Sequence, residues 1–123
     1  METKQIIIMR KFKNLRTGKY CSQASHASLG SYLKVEKLAS SDNKIRIILN
    51  NWFQNSFKKI VLYVETEEEI LELHKQLEDI NIPNVVITDS GLTEFGVPTV
   101  TALGIGPWLE EELDEVTRHL LLF

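Results

Sequence analysis

The sequence predicts an α/β fold: a single domain built as a three-layer sandwich, with a mixed, mostly four-stranded sheet and helices on both faces. Short apolar runs typical of strands alternate with amphipathic stretches typical of helices, in the order β-α-α-β-α-β-β-α. The 123 residues, 43% of them hydrophobic, suffice for one core and are too few to suggest two domains. The β-α-β units imply parallel strand pairs, and the short link between the third and fourth strands implies an antiparallel pair.

The first half of the chain predicts one strand and two helices. Residues 4–10 form a continuous apolar run, the pattern of a strand buried on both faces. After a basic loop, Thr17 is placed to cap a helix over residues 18–38. We expect the core-facing positions of that helix to be Tyr20, Ala24, Ala27 and Leu33. Asp42, with the two serines before it, can cap a second helix that ends near residue 54.

The second half predicts three strands and two helices. The strands are expected over residues 59–64, 85–88 and 99–105. Thr66 and Glu69 match a capping box that opens an amphipathic helix between the first two of these strands. Gly106-Pro107 is expected to end the last strand, and an acidic helix follows over residues 109–119. The apolar tail, residues 120–123, fits a strand and a packed coil equally well.

Charge is divided unevenly along the chain although the net charge is only -3. Residues 1–59 contain twelve lysines and arginines against three acids, whereas residues 60–123 contain two bases against fourteen acids. A clustered basic half is what binding to a polyanion such as a nucleic acid requires. The alternative is that the two halves interleave in space and their charges only solvate the surface.

Several classes of protein are disfavoured by composition. Cys21 is the single cysteine, so neither an internal disulfide nor a cysteine zinc site is expected. The histidines His26, His74 and His119 lie on different predicted elements without metal-binding spacing, so we predict no metal and no cofactor. No run approaches 18 apolar residues and the start lacks the apolar core of a signal peptide, so a cytoplasmic protein without a membrane partner is expected.

A polar stripe is predicted on the first helix. Lys19, Gln23, His26 and Gly30 have the spacing i, i+4, i+7 and i+11, which places a cation, an amide and an imidazole on one side. Such a surface can bind an anionic, hydrogen-bonding ligand such as a nucleic-acid end. Taken singly, Lys19 can equally be a surface lysine, His26 a hydrogen-bonded core histidine, and Asp89 a turn former before Gly91.

Separate motifs in one order resemble the archaeal and eukaryotic type of peptidyl-tRNA hydrolase. They are GKYCSQASHA at 18–27, Trp52, KKIVL at 58–62, DSGLT at 89–93 and TVTALGIGP at 99–107. The resemblance covers nearly the whole chain, so residues 1–123 are identified as one domain of this kind. It implies an enzyme that hydrolyses the ester between a peptide and the 3′-terminal ribose of tRNA without a metal. The sequence leaves a monomer and a homodimer equally open, since the acidic last helix and the apolar tail fit both.

The resemblance also implies roles for particular residues. Catalytic roles correspond to Lys19, Asp89 and Thr101. Asp89 is expected to orient a water, or to deprotonate it if the surroundings raise its pKa, and Lys19 to hold the oxyanion or the terminal phosphate. The substrate-binding positions are Gln23, His26, Thr93 and Thr99, with Lys11, Lys13 and Arg16 of the basic loop expected to bind tRNA phosphates.

Three departures from the family pattern set this chain apart. Leu92 stands where the family usually has arginine, and the segment 96–98 replaces a Pro-Gly arrangement. Near the start, Arg10-Lys11-Phe12 lacks the acidic residue that often follows the family's arginine. These departures leave a second function open, a catalytically impaired relative that binds tRNA or a protein partner.

Overall fold

The structure is a computed structural model that describes residues 1–91 and 94–123. Along these residues the elements are β1 (Thr3–Arg10), α1 (Thr17–Ala39), α2 (Asn43–Asn51), a π-helical turn (Trp52–Ser56), β2 (Lys59–Val64), α3 (Glu67–Asp79), β3 (Asn84–Asp89), β4 (Thr99–Leu109), α4 (Glu110–Thr117) and β5 (Leu121–Leu122). The predicted α/β class and the predicted order of elements are confirmed.

One mixed sheet forms the middle layer, in the strand order β3-β4-β1-β2-β5. β1 pairs with β2 in parallel, and β4 pairs antiparallel with both β1 and β3. The sheet has five strands rather than the mostly four predicted, because the tail pairs Leu121 and Leu122 with β2. Since β1, β2 and β3 all run in one direction, their carboxyl ends lie at the same edge of the sheet.

Helices cover both faces of the sheet, which explains the continuous apolar run of β1. Ile6 and Ile8 join the larger core with residues of α3 and α4, whereas Ile7 and Met9 join a smaller core with Ala27 of α1. All four of these β1 side chains are buried. Apolar burial on both sides is the largest favourable contribution to folding of such a layered domain.

Capping determines where the helices begin. Asp42 accepts a hydrogen bond from Ile45 N, and Thr66 accepts one from Glu69 N, both at 3.2 Å, so both predicted caps are confirmed. The prediction for α1 is wrong by one residue, because Arg16 occupies the N-cap position without a side-chain bond and Thr17 is already helical.

The buried side of α1 differs from the prediction. Leu33 is 54% exposed, and the buried positions recur every four residues as Gln23, Ala27, Ser31, Val35 and Ala39. Two of these are polar, and each has a hydrogen-bond partner on β4: Gln23 binds Thr101 and Ser31 binds the Gly106 carbonyl. Polar side chains can lie in the core when the neighbouring strand supplies their partners.

Two features of β4 bring α1 close to it. A side chain at Gly104 would collide with the backbone carbonyl of Ala27, so only glycine permits this approach. The predicted break at Gly106-Pro107 is wrong, because β4 continues to Leu109. The ladder with β1 has an irregularity between Lys4 and Ile6, opposite this dipeptide, and a proline is tolerated at such a bulge.

Candidate active site

The candidate active site lies at the edge of the sheet where β1, β2 and β3 end. Lys19 and Gln23 lie one turn apart in the first turns of α1, above this edge. Asp89 is the last residue of β3, and Thr101 lies near the start of the adjacent β4. The structure therefore brings together four residues that the sequence analysis selected from distant parts of the chain.

The carboxylate of Asp89 is held at both oxygens. Lys19 Nζ lies 2.9 Å from Oδ1, and Gln23 Nε2 donates to the same oxygen at 3.2 Å. The backbone N–H of Gly91 donates to Oδ2 at 2.9 Å. The side chains of Lys19 and Asp89 are only 12% and 11% exposed, so this ion pair is much better shielded than a surface pair.

Thr101 fixes the orientation of the Gln23 amide. Its hydroxyl donates to Gln23 Oε1 at 2.6 Å, which leaves the amide nitrogen facing Asp89. The ladder between β3 and β4 is irregular between Ile87 and Thr88, where Ile87 pairs with Ala102 and Thr88 with Val100, so Thr101 is the extra residue of a bulge. Bulges next to active sites re-aim side chains. Thr101 and Gln23 are each only 1% exposed, so the hydrogen bond between them is shielded from solvent.

The surroundings of Asp89 favour its charged form. The hydrogen bond from Lys19, followed by that from the Gly91 backbone, holds the pKa of the Asp89 carboxyl below its usual value. Of the two predicted roles for Asp89, deprotonation of a water near neutral pH depends on a raised pKa, and this condition is not met; orientation of a water does not depend on it. Asp89 is better suited to hold the Lys19 ammonium in place, to fix the Gln23 amide and to accept a hydrogen bond from a water.

The remaining predicted residues lie at different distances from this cluster. Thr99 pairs with Asp89 across the ladder, but its hydroxyl donates to the Val97 carbonyl at 2.8 Å. His26 is exposed, so the core alternative for it is wrong. Thr93, like Leu92, lies outside the described residues.

The basic loop between β1 and α1 lies at the same edge as the site. Lys11 places its ammonium 4.3 Å from the centroid of the Tyr63 ring, and Lys13 is exposed. Arg16 is 84% exposed and its Nε lies 3.2 Å from a carboxylate oxygen of Glu94. Lys11 and Lys13 thus present positive charge to solvent beside the site, while Arg16 is partly neutralised.

Sequence reasoning missed three side chains beside the site: Arg10, Phe12 and Phe95. The rings of Phe12 and Phe95 are 4.9 Å apart, and Phe95 lies 5.7 Å from Lys19 Nζ. Arg10 ends β1 and donates from Nη1 to the Val100 carbonyl at 3.1 Å. Arg10 could have been predicted beside the site from its position at the end of a buried strand. No feature of the sequence predicts the contact between residues 12 and 95.

A groove on the other side of α1 is separate from this site. Its volume is about 540 Å³, and its apolar lining includes Trp52, Phe53 and Phe57. Lys59 also lines it, and burial lowers the pKa of that lysine. Within residues 1–91 and 94–123, no three His, Cys, Asp or Glu side chains are grouped so that they could hold a metal ion. The same residues include no helix long and apolar enough to cross a membrane.

Comparison with known proteins agrees with the arrangement at this edge. The model of the family described as Peptidyl-tRNA hydrolase PTH2 matches residues 3–123. The chain belongs to this family. The resemblance found in the sequence motifs is thereby confirmed, and the match includes every described residue of the candidate active site.

Similar proteins in this family come from archaea. The peptidyl-tRNA hydrolase of Methanopyrus kandleri is 40% identical over 119 residues, which is 97% of this chain and 97% of that protein. The peptidyl-tRNA hydrolase of Thermococcus onnurineus is 39% identical over 97% of this chain and 96% of its own length. The peptidyl-tRNA hydrolase of Methanothermobacter thermautotrophicus is 35% identical over 97% of this chain and 98% of its own length.

Proposed function

We propose that this protein hydrolyses the ester between the peptide and the tRNA in peptidyl-tRNA and so returns tRNA to translation. Membership of the family supports the reaction class. The observation that carries the proposal is the Asp89 carboxylate, held by Lys19, Gln23 and Gly91 at the sheet edge where α/β folds commonly bind ligands. As the reaction belongs to translation, we place the protein in the cytoplasm.

The proposed reaction uses positioned groups rather than a covalent nucleophile. A water, hydrogen-bonded to Asp89, adds to the ester carbonyl, and the Lys19 ammonium stabilises the negative charge that develops on the carbonyl oxygen. The bond to the ribose oxygen then breaks, and this oxygen takes up the proton that the added water gives up, so that the products are the peptide carboxylic acid and the free ribose hydroxyl of tRNA. Because the substrate is already a reactive ester, exact placement of the water and the carbonyl supplies much of the acceleration.

The basic loop is the proposed binding surface for tRNA phosphates. Lys11 and Lys13 present their charges at the edge of the site, whereas Lys4 and Lys58, at the opposite end of the sheet, are paired with acidic residues of α4. All four residues of the site come from one chain. A monomer therefore holds a full site in this proposal, and a homodimer would hold two.

The test is release of free tRNA from an N-acetylaminoacyl-tRNA, whose blocked amino group mimics a peptide. The wild-type protein should release tRNA far faster than the buffer does, and Asp89→Asn should release it on the order of 10² times more slowly than the wild type or slower still. If the wild-type protein bound N-acetylaminoacyl-tRNA but did not hydrolyse its ester, the protein would be a tRNA-binding relative that lacks catalysis.

Chelation provides a second test of the proposed mechanism. His26, His74 and His119 lie on or beside different elements, and the carboxylates at the start of α3 serve its N-terminus. We therefore expect hydrolysis of a short peptidyl ester, which needs no magnesium for its own folding, to survive excess chelator. Loss of this activity on chelation, with recovery on addition of zinc, would contradict the mechanism.

A further inference from the structure

A pair of aromatic rings borders the candidate active site. Phe12, two residues after the end of β1, and Phe95, between β3 and β4, have ring centroids 4.9 Å apart and planes inclined at 47°. Both residues are half-buried, so each keeps part of its surface open to solvent. We call these two rings the aromatic ledge.

A cationic side chain lies close to each ring of the aromatic ledge. The Arg10 guanidinium carbon lies 4.7 Å from the centroid of Phe12, and Lys19 Nζ lies 5.7 Å from that of Phe95. Arg10 is anchored to the Val100 carbonyl, but its Nε is buried without a hydrogen-bond partner among residues 1–91 and 94–123. In the same part of the chain no carboxylate pairs with this arginine, so its charge is not neutralised.

Aromatic rings backed by cations are the surface on which proteins stack single-stranded bases. Unpaired bases of RNA are recognised in this way, because each base offers a π-face to the ring. The 3′ end of tRNA is single-stranded, and its last base is attached to the same ribose as the ester. A surface that stacks this base must therefore lie one sugar away from the reacting carbonyl.

The position of the aromatic ledge satisfies that requirement. Lys19 contacts Phe95 on one side and Asp89 on the other, since its Nζ is 5.7 Å from the ring centroid and 2.9 Å from the carboxylate oxygen. The ledge and the proposed reaction centre thus share one side chain. By contrast, the exposed rings of Phe53 and Phe57 line the groove on the other side of α1 and contact none of these residues.

We propose that Phe12 and Phe95 stack the terminal base of the tRNA and so position the ribose ester at Lys19 and Asp89. This inference rests on the proposed function, since it concerns the substrate of the same site. It assigns to the ledge a contact with a nucleobase, and to Arg10 the task of holding the Phe12 ring in place.

The test compares two substrates that differ only in that base. One is N-acetylaminoacyl-tRNA with its terminal adenosine, and the other is the same tRNA ending in a riboside without a base. Stacking of one base changes affinity about 5- to 150-fold, so the wild-type kcat/KM should fall by a factor in this range when the base is removed. The variant Phe12→Ala with Phe95→Ala should process both substrates equally.

Three controls separate stacking from packing of the loop. Phe53→Ala, an exposed ring outside the ledge, should retain the wild-type preference between the substrates. Phe12→Tyr should also retain it, because tyrosine keeps an aromatic face. Thermal unfolding of each variant checks that the fold is intact, and should the double alanine variant unfold, Phe95→Ala alone should still reduce the preference.

The outcomes distinguish this inference from the proposed function. Equal rates of the wild-type protein on both substrates would overturn the aromatic ledge and leave the hydrolase intact. An unchanged preference in a folded Phe95→Ala variant would also overturn it. If the wild-type protein hydrolysed neither substrate, the proposed function itself would fail.

Discussion

Two lysine–aspartate pairs lie at opposite ends of the sheet and differ in what surrounds them. Lys4 Nζ is 2.7 Å from Asp114 at the amino end of β1, and Lys19 Nζ is 2.9 Å from Asp89 at the carboxyl edge. Both lysine side chains are 12% exposed, but Asp114 is 42% exposed and Asp89 only 11%. The distances are alike, so they cannot tell which pair belongs to a functional site.

The neighbours of each pair make the distinction. Lys4 also approaches Glu110 at 3.8 Å, and Lys58 approaches the same glutamate at 3.0 Å, so that cluster ties α4 to the sheet. Asp89 instead accepts hydrogen bonds from an amide side chain and a backbone N–H, which fix both carboxylate oxygens. Ester hydrolysis requires preorganised donors and charges at an open edge of the sheet. Ion pairs such as those of Lys4 and Lys58, which have partly exposed carboxylate partners, add only modest stability.

The largest expected difference between the two pairs is the effect on kcat/KM of replacing each aspartate by asparagine. Asp89→Asn should lower kcat/KM on N-acetylaminoacyl-tRNA by on the order of 10² or more, because the charge that holds Lys19 is lost. Lys19→Ala should have an effect of similar size. Asp114→Asn should leave activity near the wild-type value and cost at most about 1 kcal/mol of unfolding free energy. Full turnover by a folded Asp89→Asn variant would show that the reaction centre lies elsewhere.

Two buried threonines, one at the candidate active site and one in α4, allow the same comparison for a single hydroxyl group. The Thr101 hydroxyl donates to the Gln23 side chain, and the Thr117 hydroxyl to the Leu113 carbonyl within α4. Thr101→Val leaves Gln23 Oε1 unpaired, which should cost about 1–3 kcal/mol of stability, and should lower kcat about tenfold as the amide loses its orientation.

The controls for Thr101 separate positioning from simple packing. Thr101→Ser keeps the hydroxyl and should restore most of kcat, while Thr117→Val should change stability without changing kcat. Equal values of kcat for Thr101→Val and Thr117→Val, measured on folded proteins, would contradict a positioning role for Thr101.

Much of the fold was predictable because local patterns determine it. The run in β1 and the capping residues Asp42 and Thr66 gave the correct elements. The errors arose where distant residues decide the outcome. Leu33 is exposed while Ser31 is buried, since β4 supplies a carbonyl to the serine, and the signal for a turn at Gly106-Pro107 is overridden by pairing with β1.

That four residues of the candidate site lie together was predictable, but the electrostatics of Asp89 were not. Helical spacing placed Lys19 with Gln23, and the family motifs added Asp89 and Thr101. The direction of the Asp89 pKa depends on a hydrogen bond from a lysine 70 positions away in the chain, which no local pattern reveals. The aromatic ledge was not predictable for the same reason, because its two rings are brought together only by the tertiary fold.

Lysines at the two ends of the sheet should contribute differently to tRNA binding. Lys11→Ala and Lys13→Ala remove charges at the edge of the site, so each should lower affinity several-fold at low salt. Each should also reduce the slope of log affinity against log salt by about 1, as expected for one lost phosphate contact. Lys58→Ala, at the other end and already paired with Glu110, should leave the slope unchanged. A slope insensitive to Lys11 and Lys13 would place the tRNA on another surface.

The smallest expected effect is the response of the Asp89 ion pair to mild acid. Because the pKa of Asp89 is lowered in the folded protein, its ion pair stabilises the fold fully above the unfolded-state pKa of about 3.9, and this stabilisation is lost only as the pH falls through the lower folded-state value. The difference in unfolding free energy between wild type and Asp89→Asn, measured by urea denaturation, should therefore stay constant from pH 7 to pH 5 and shrink below about pH 4. If the difference instead grew in favour of the wild type as the pH fell from 7 to 5, the pKa of Asp89 would be raised rather than lowered, because the folded state would then bind the proton more tightly than the unfolded chain. Asp89 would then become the candidate general base, and the hydrolytic water would be activated by proton transfer rather than by placement alone.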